Sequence, residues 1–348
     1  MSAEQSIWAE IIAFALDLLR FDAGVRRKIT SLLLEMQREL VARLATEDLT
    51  EYNQKRLNAL LNESKKIIDD NYDSMSELMT TKLKGLAEVS AKQAGRSVEN
   101  VLGVKVGVGL PTETHLKTLV SDTLIQGAPS KAWWKRQAGD TAFRFSQAVR
   151  QGVAQGETTQ QIVARVVGRV GEPGVMDISR QNAYALVNTS TQAVAAKARL
   201  AFYKENADII KGVRQVSTLD SKTTDICKAY DGAEFTLDGE PINTTLPFNS
   251  GVPRHWNCRS VEVPITKTFK EMGVKMGELK RLRASEDGQV DGNMKFEDFL
   301  KTKSREWQDE ALGKGRAELW REGKITIRDL LDQSGNPLTL KQLKAKYG

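Results

Sequence analysis

Apolar residues recur at helical spacing through the first third of the chain. Ile7, Trp8, Ile11, Phe14, Ala15, Leu18 and Leu19 form one stripe, and Ile29, Leu32, Leu33, Met36, Leu40, Val41 and Leu44 form another. Thr46 to Thr50 is a polar break with helix-capping residue types. A third stripe follows through Leu57, Leu60, Leu61, Ile67, Ile68, Met75, Leu78, Met79, Leu83 and Leu86, with Gly85 as its one weak point. A helix over Tyr52–Gln93 would run about 60 Å at the usual rise per residue. A stripe does not say what it packs against. Its length leads us to expect a contact element for a partner chain, and packing within its own bundle is the competing reading.

The pattern changes twice more. Residues 103–111 are a glycine-rich break, read as a short strand or linker. Helices resume after a Thr112–Glu113 cap and a Ser130 cap, with Trp133 and Trp134 as packing anchors. Gly152 to Thr159 is a turn and cap, Ile162 to Val167 a short helix, and 177–205 a longer, alanine-rich one that Gly212 is expected to end. Val213–Thr218 alternates like a strand. Turns and short strands continue to Ile265, helices are expected again from Phe269, and Gly288–Asn293 reads as a loop. Met294–Trp320 predicts two or three short helices, and Leu340–Tyr347 a last one.

The fold class is therefore an α-dominated α+β protein. It has long N-terminal helices, a helical middle and a small mixed α/β C-terminal module with a loop-rich segment. The expected division is 1–110 as an extended helical contact region, 111–212 as a helical part, 213–268 as a strand and loop module, and 269–348 as a helical extension.

Composition narrows the class. The chain has 348 residues, a net charge of +6 and only two cysteines, which excludes disulfide-dense and fibrous proteins. Met1–Gln5 carries no basic residue ahead of the first apolar stretch, so no secretory signal is expected. The apolar run Ile11–Leu16 is far shorter than a membrane span of about 20 residues. The expectation is a soluble protein made in a reducing cytosol, with no membrane contact. Residues 111–212 hold 13 basic and 8 acidic residues, whereas residues 1–110 hold 15 and 16. A basic middle suits a nearby polyanion, but no Lys/Arg block marks a nucleic-acid groove.

Candidate chemistry concentrates between Asp220 and Arg259. Cys227, His255 and Cys258 lie here, and the H-x-x-C spacing of the last two can place two ligands on one tetrahedral metal. Asp220, Asp225 or Asp231 would supply a fourth. A zinc site, a Cys227–Cys258 disulfide and two reduced structural thiols all stay open. Enzyme motifs are missing: there is no H-E-x-x-H, and no H-x-E with P-C-x-x-C. The only other histidine, His115, sits in an amphipathic stretch.

Three stretches carry a resemblance: Arg180–Ser190, Asp220–Gly232 and Pro253–Ser260. Together they resemble the tailed-phage head-morphogenesis family, the phage Mu F-like minor head proteins. The family pattern runs from an Arg/Ala helix through D-x-R-T and C-x-x-x-D-G to P-x-H-x-x-C-R. Asp220, Thr223, Cys227, Asp231, Gly232, His255, Cys258 and Arg259 fall on it. Lys222 replaces the usual Arg, and Thr224 and Ser260 stand where some members carry further cysteines. The segment Phe296–Leu331 is similar to the family's C-terminal extension.

The resemblance implies a low-copy structural protein of the phage head, with no catalytic activity. Its implied partners are the portal protein, capsid or scaffold proteins and, in some settings, packaged DNA. Its implied place is the head interior or portal vertex of the virion, after a period in the host cytoplasm. It implies no cofactor beyond the zinc left open above. Two other functions stay in view: an effector ejected with the DNA, since relatives carry toxin domains such as ADP-ribosyltransferases, and a DNA-binding packaging accessory.

Overall fold

The computed structural model describes residues 3–47, 53–102, 109–267, 282–285, 288–291 and 294–347. Two long helices open the chain, α1 (Ala3–Ala45) and α2 (Gln54–Leu102). The two N-terminal stripes thus lie on one continuous helix. Phe14 and Leu18 of the first are buried, and the side chains of Ile7, Trp8, Ile11 and Ala15 lie outside the described residues. Helix α2 outruns the expected Tyr52–Gln93, and Asn53 caps it by accepting from the backbone N–H of Lys55 and Arg56. The glycine-rich break largely falls outside the described residues, as does the expected helix start at Phe269.

Next come α3 (Glu113–Asp122), a two-residue hairpin of β1 (Leu124–Ile125) and β2 (Ala128–Pro129), and α4 (Ser130–Ala154). The hairpin turns at Gln126–Gly127, both at positive φ, and the sequence reading missed it. Ser130 is the first helical residue and not the cap; Pro129 takes the capping position without a side-chain bond. Helix α5 (Thr159–Val167) starts as expected, with Thr158 and Gln161 forming a capping box. Helix α6 (Val175–Glu205) follows.

That helix ends at Glu205, before Gly212. Asn206 turns back, its side chain donating to the Phe202 carbonyl at 2.8 Å. Gly212 lies inside β3 (Ile210–Val216), where a Cβ would stand 2.3 Å from the Phe235 carbonyl oxygen, so the neighbouring strand's approach selects glycine. A short helix α7 (Asp225–Ala229) leads to β4 (Glu234–Thr236), and β5 (Val261–Thr266) completes an antiparallel sheet in the order β4-β3-β5. Gly288–Asn293 is not a loop throughout: β6 (Leu282–Ser285) and β7 (Gly288–Asp291) form an antiparallel hairpin. Helices α8 (Phe296–Lys301), α9 (Arg305–Leu312), α10 (Lys314–Arg321) and α11 (Leu340–Tyr347) close the chain, with a 3-10 turn at Ile327–Leu330. The fold is α-dominated α+β, as read from the sequence.

Two compact units interleave along the chain. One comprises Met1–Leu18, Ala87–Leu116 and Gln192–Gly348; the other comprises Leu19–Leu86 and Lys117–Thr191. Their limits run through α1, α2, α3 and α6.

The second unit is a helical assembly. Leu60, Ile68, Met75 and Met79 of α2 are fully buried, as are Ile29, Met36 and Leu40 of α1. This corrects the expectation that the α2 stripe is a surface for a partner: the chain itself covers it. Trp134 packs against Tyr72, whose hydroxyl bonds Thr141 at 2.9 Å, and Thr141 bonds Ser179 at 2.9 Å. The first unit holds the sheet and two apolar clusters. Phe202, Tyr203, Ile210, Tyr230 and Phe235 centre one, and Leu219, Phe296, Phe299 and Leu300 centre the other.

Candidate functional site: the cysteine–histidine neck

The site lies where the chain leaves β3 and where it re-enters the sheet at β5. Thr224 caps α7 by accepting from the Cys227 backbone N–H at 3.5 Å, which places Cys227 in the first turn. The Ser217 hydroxyl donates to the Cys227 carbonyl at 2.7 Å and so fixes α7 against the end of β3. On the return side, the Cys258 N–H donates to the His255 carbonyl at 3.2 Å, a tight turn that brings both side chains to one face. The two cysteines are buried and half-buried His255 covers them.

The side chains converge. Cys227 Sγ lies 3.6 Å from Cys258 Sγ and 3.2 Å from His255 Nε2. Thr224 Oγ1 lies 2.8 Å from the same imidazole nitrogen. His255 Nδ1 is 2.8 Å from the Trp256 carbonyl, to which it donates, so Nε2 faces the sulfurs. The two thiols are linked by a hydrogen bond. The hydrogen bond from Cys227, and then His255, pull Cys258 well below the usual thiol range, while the same hydrogen bond and burial push Cys227 above it. The hydrogen bond to Cys258 also raises His255 above its ordinary value.

The acidic and basic motif residues tie the neck from outside. Arg259 donates to Asp220 through two bonds, Nη1 to Oδ2 at 2.6 Å and Nη2 to Oδ1 at 2.8 Å. Asp220 Oδ1 also accepts from the Lys222 N–H at 3.0 Å and the Thr223 hydroxyl at 3.1 Å. Burial alone would raise the Asp220 pKa, but the hydrogen bonds led by Arg259 outweigh it and hold the carboxyl below its ordinary value. Asp231 stands apart from the cysteines. Its carboxylate is a joint, accepting from Ser217 N–H at 2.9 Å and Phe296 N–H at 2.8 Å, so it fastens α8 to the sheet. Gly232 follows at φ 77°, where its N–H donates to the Gln215 carbonyl at 2.9 Å; the left-handed backbone explains the glycine.

Sequence reasoning missed two charges beside this neck, half-buried Arg254 and buried Glu262. Arg254 stacks 3.4 Å from the Tyr230 ring centre and donates to the Gln215 side chain and the Phe248 carbonyl. Glu262, buried in β5, accepts from the Val252 N–H at 2.9 Å, and burial raises its pKa. Arg254 sits within the quoted P-R-H-W-N-C-R run. Glu262 carries no signal, because β5 is buried on both faces and alternation disappears.

A cavity of about 190 Å³ opens beside the neck, lined among others by Lys222, Thr224, Cys227, His255 and Arg259. Cys227, His255 and Cys258 are the residues that could hold a metal. Asp225 is turned away, paired with Arg316 and Lys228.

Residues 144–263 match the family model described as Phage Mu protein F like protein, and that match spans all three motif stretches. Over that stretch the chain is similar to this family. No curated protein and no solved structure matches it significantly. No described helix is long and apolar enough to cross a membrane.

Proposed function

We propose that the protein is a minor head protein that acts during head assembly at the portal vertex and performs no catalytic turnover. The family match over residues 144–263 carries this reading. The neck fits it: its polar groups bind one another, as Arg259 binds Asp220 and Asp231 binds two backbone amides, which is a fastening and not a substrate site. Portal is the proposed partner, with capsid or scaffold proteins next to it. Because the α2 stripe is covered by the chain, that contact uses the outward, polar faces of the long helices. The protein stays in the virion after assembly in the host cytoplasm.

The test is a pull-down of the full chain with isolated portal, paired with a phage lacking the gene. Co-purification with portal and a fall in infectious heads are the expected results. Normal assembly and infection by the deleted phage would remove the assembly role. The basic stretch 111–212 supports a second reading, contact with packaged DNA. Such binding weakens steeply with salt, because phosphate contacts release counterions. Delivery into the cell with the DNA would appear as the protein's entry into infected cells.

A further inference from the structure

We propose that Cys227, His255 and Cys258 bind one zinc ion, with the fourth coordination position open to the adjoining cavity and filled by water. This goes beyond the assembly role and does not depend on it. The donor set is two soft sulfurs and one imidazole, which selects zinc over magnesium or calcium. The spacing agrees. Zinc bonds of about 2.3 Å to sulfur and about 2.0 Å to nitrogen, set at tetrahedral angles, separate two sulfurs by about 3.8 Å and sulfur from nitrogen by about 3.5 Å. The observed separations are 3.6 Å and 3.2 Å, so a small outward movement admits the ion. A disulfide needs the sulfurs about 2.05 Å apart, a far larger displacement.

Three further observations point the same way. The Nδ1 of His255 is committed to the Trp256 carbonyl, which leaves the Nε2 lone pair aimed at the sulfurs. Ligating histidines are held in this manner by an outer partner. The three side chains come from two independently anchored segments, α7 through Ser217 and the return loop through the Arg259–Asp220 pair. Two thiolates and a neutral imidazole cancel the ion's charge, so the buried site carries no net charge. The open vertex follows from the cavity, which touches Cys227 and His255 but not Cys258 among the three ligands. Thr224 and Lys222 line that same cavity, and the chain has no third cysteine to fill the fourth position. Zinc bound here closes the loop between residues 227 and 258, so binding free energy becomes folding free energy.

The experiment uses the full chain purified under reducing conditions. Metal content is measured first, and the metal-free protein is then titrated with cobalt(II) and back-titrated with zinc. We expect one zinc per chain, a visible tetrahedral cobalt spectrum with thiolate-to-cobalt charge transfer, and its loss on zinc addition. Cys258→Ser should remove most of the charge-transfer band, and His255→Gln should weaken binding by at least about tenfold. Since either variant could fail to fold, Thr224→Cys provides a gain: a thiolate on the cavity side should strengthen cobalt charge transfer and tighten zinc binding. Folded wild-type protein that takes up neither zinc nor cobalt overturns the proposal. So does an intact mass two hydrogens low in protein from reducing cells, which would make the pair a disulfide.

Discussion

The α2 stripe from Leu57 to Leu86 and the neck from Ser217 to Ser260 hold their shapes by opposite means. Along α2, equivalent apolar side chains repeat, and Leu60, Ile68, Met75 and Met79 each lose all contact with water. In the neck, each tie occurs once: one Arg259–Asp220 pair, one Asp231 joint, one cysteine–histidine cluster. A repeated apolar contact is non-directional and tolerates volume-conserving change. A single polar contact depends on one partner at one distance. The helical region should therefore resist conservative substitution and fail on a buried charge. The neck should respond to changes of single atoms.

The sharpest way to break this comparison is Ile68→Asp. Ile68 is fully buried, and an unpaired carboxylate there should cost about 4 kcal/mol or more, whereas Ile68→Val should cost about 1 kcal/mol. Denaturant unfolding of the isolated chain measures both. If the aspartate variant unfolds like wild type, the stripe is not core, and a surface role for α2 returns.

The same contrast governs what the sequence reveals. Periodicity showed α2 and α6 because each apolar residue repeats a neighbour's pattern three or four positions away. It could not show what covers the stripe. The β1–β2 hairpin escaped because Gln126 takes a positive φ that its residue type seldom adopts. The neck's members were legible as residue types and spacings. The grouping of Cys227, His255 and Cys258 was legible from their residue types and the H-x-x-C spacing. Asp231, read there as one choice of fourth ligand, instead accepts from two backbone amides, and backbone partners leave no mark on a sequence.

Asp231→Ala ranks second. It removes the acceptor for Ser217 and Phe296 N–H groups, both at buried ends of elements. Two unsatisfied buried donors should cost about 2 to 3 kcal/mol. Hydrogen exchange should localise the effect: the Phe296 amide loses protection, while amides in the buried stretch of α2 keep theirs. Equal loss in both places would mean that the neck and the helices do not respond separately.

Asp22→Asn tests the helical side through a buried carboxylate. Asp22 is buried on α1 and pairs with Arg26 at 3.1 Å. Burial raises its pKa from 3.8 to about 6, with Arg26 acting against the shift. The folded pKa lies above the unfolded one, so the penalty is absent below about pH 4, grows between pH 4 and 6, and is full above that. Asparagine removes a penalty of up to about 2 to 3 kcal/mol at pH 7, less whatever the lost Arg26 attraction returns. The variant should therefore melt higher than wild type at pH 7 and equally at pH 4. A destabilised variant at pH 7 would show that the Arg26 pair outweighs the burial.

The smallest expected effect is Arg259→Lys. The guanidinium makes two parallel bonds to Asp220, which an ammonium cannot reproduce. Arg259 is 40% exposed and Asp220 21%, so water screens the pair and the loss should stay below about 1 kcal/mol. Its pH dependence separates it from a packing defect. The folded Asp220 pKa lies below its unfolded value, so the pair stabilises the protein above the unfolded pKa, and that contribution disappears as pH falls through the folded one. The gap between wild type and variant should thus be present at pH 7 and close in acid. A gap that persists unchanged in acid would assign the role of Arg259 to the packing of its stem, and the neck's outer tie would not be electrostatic.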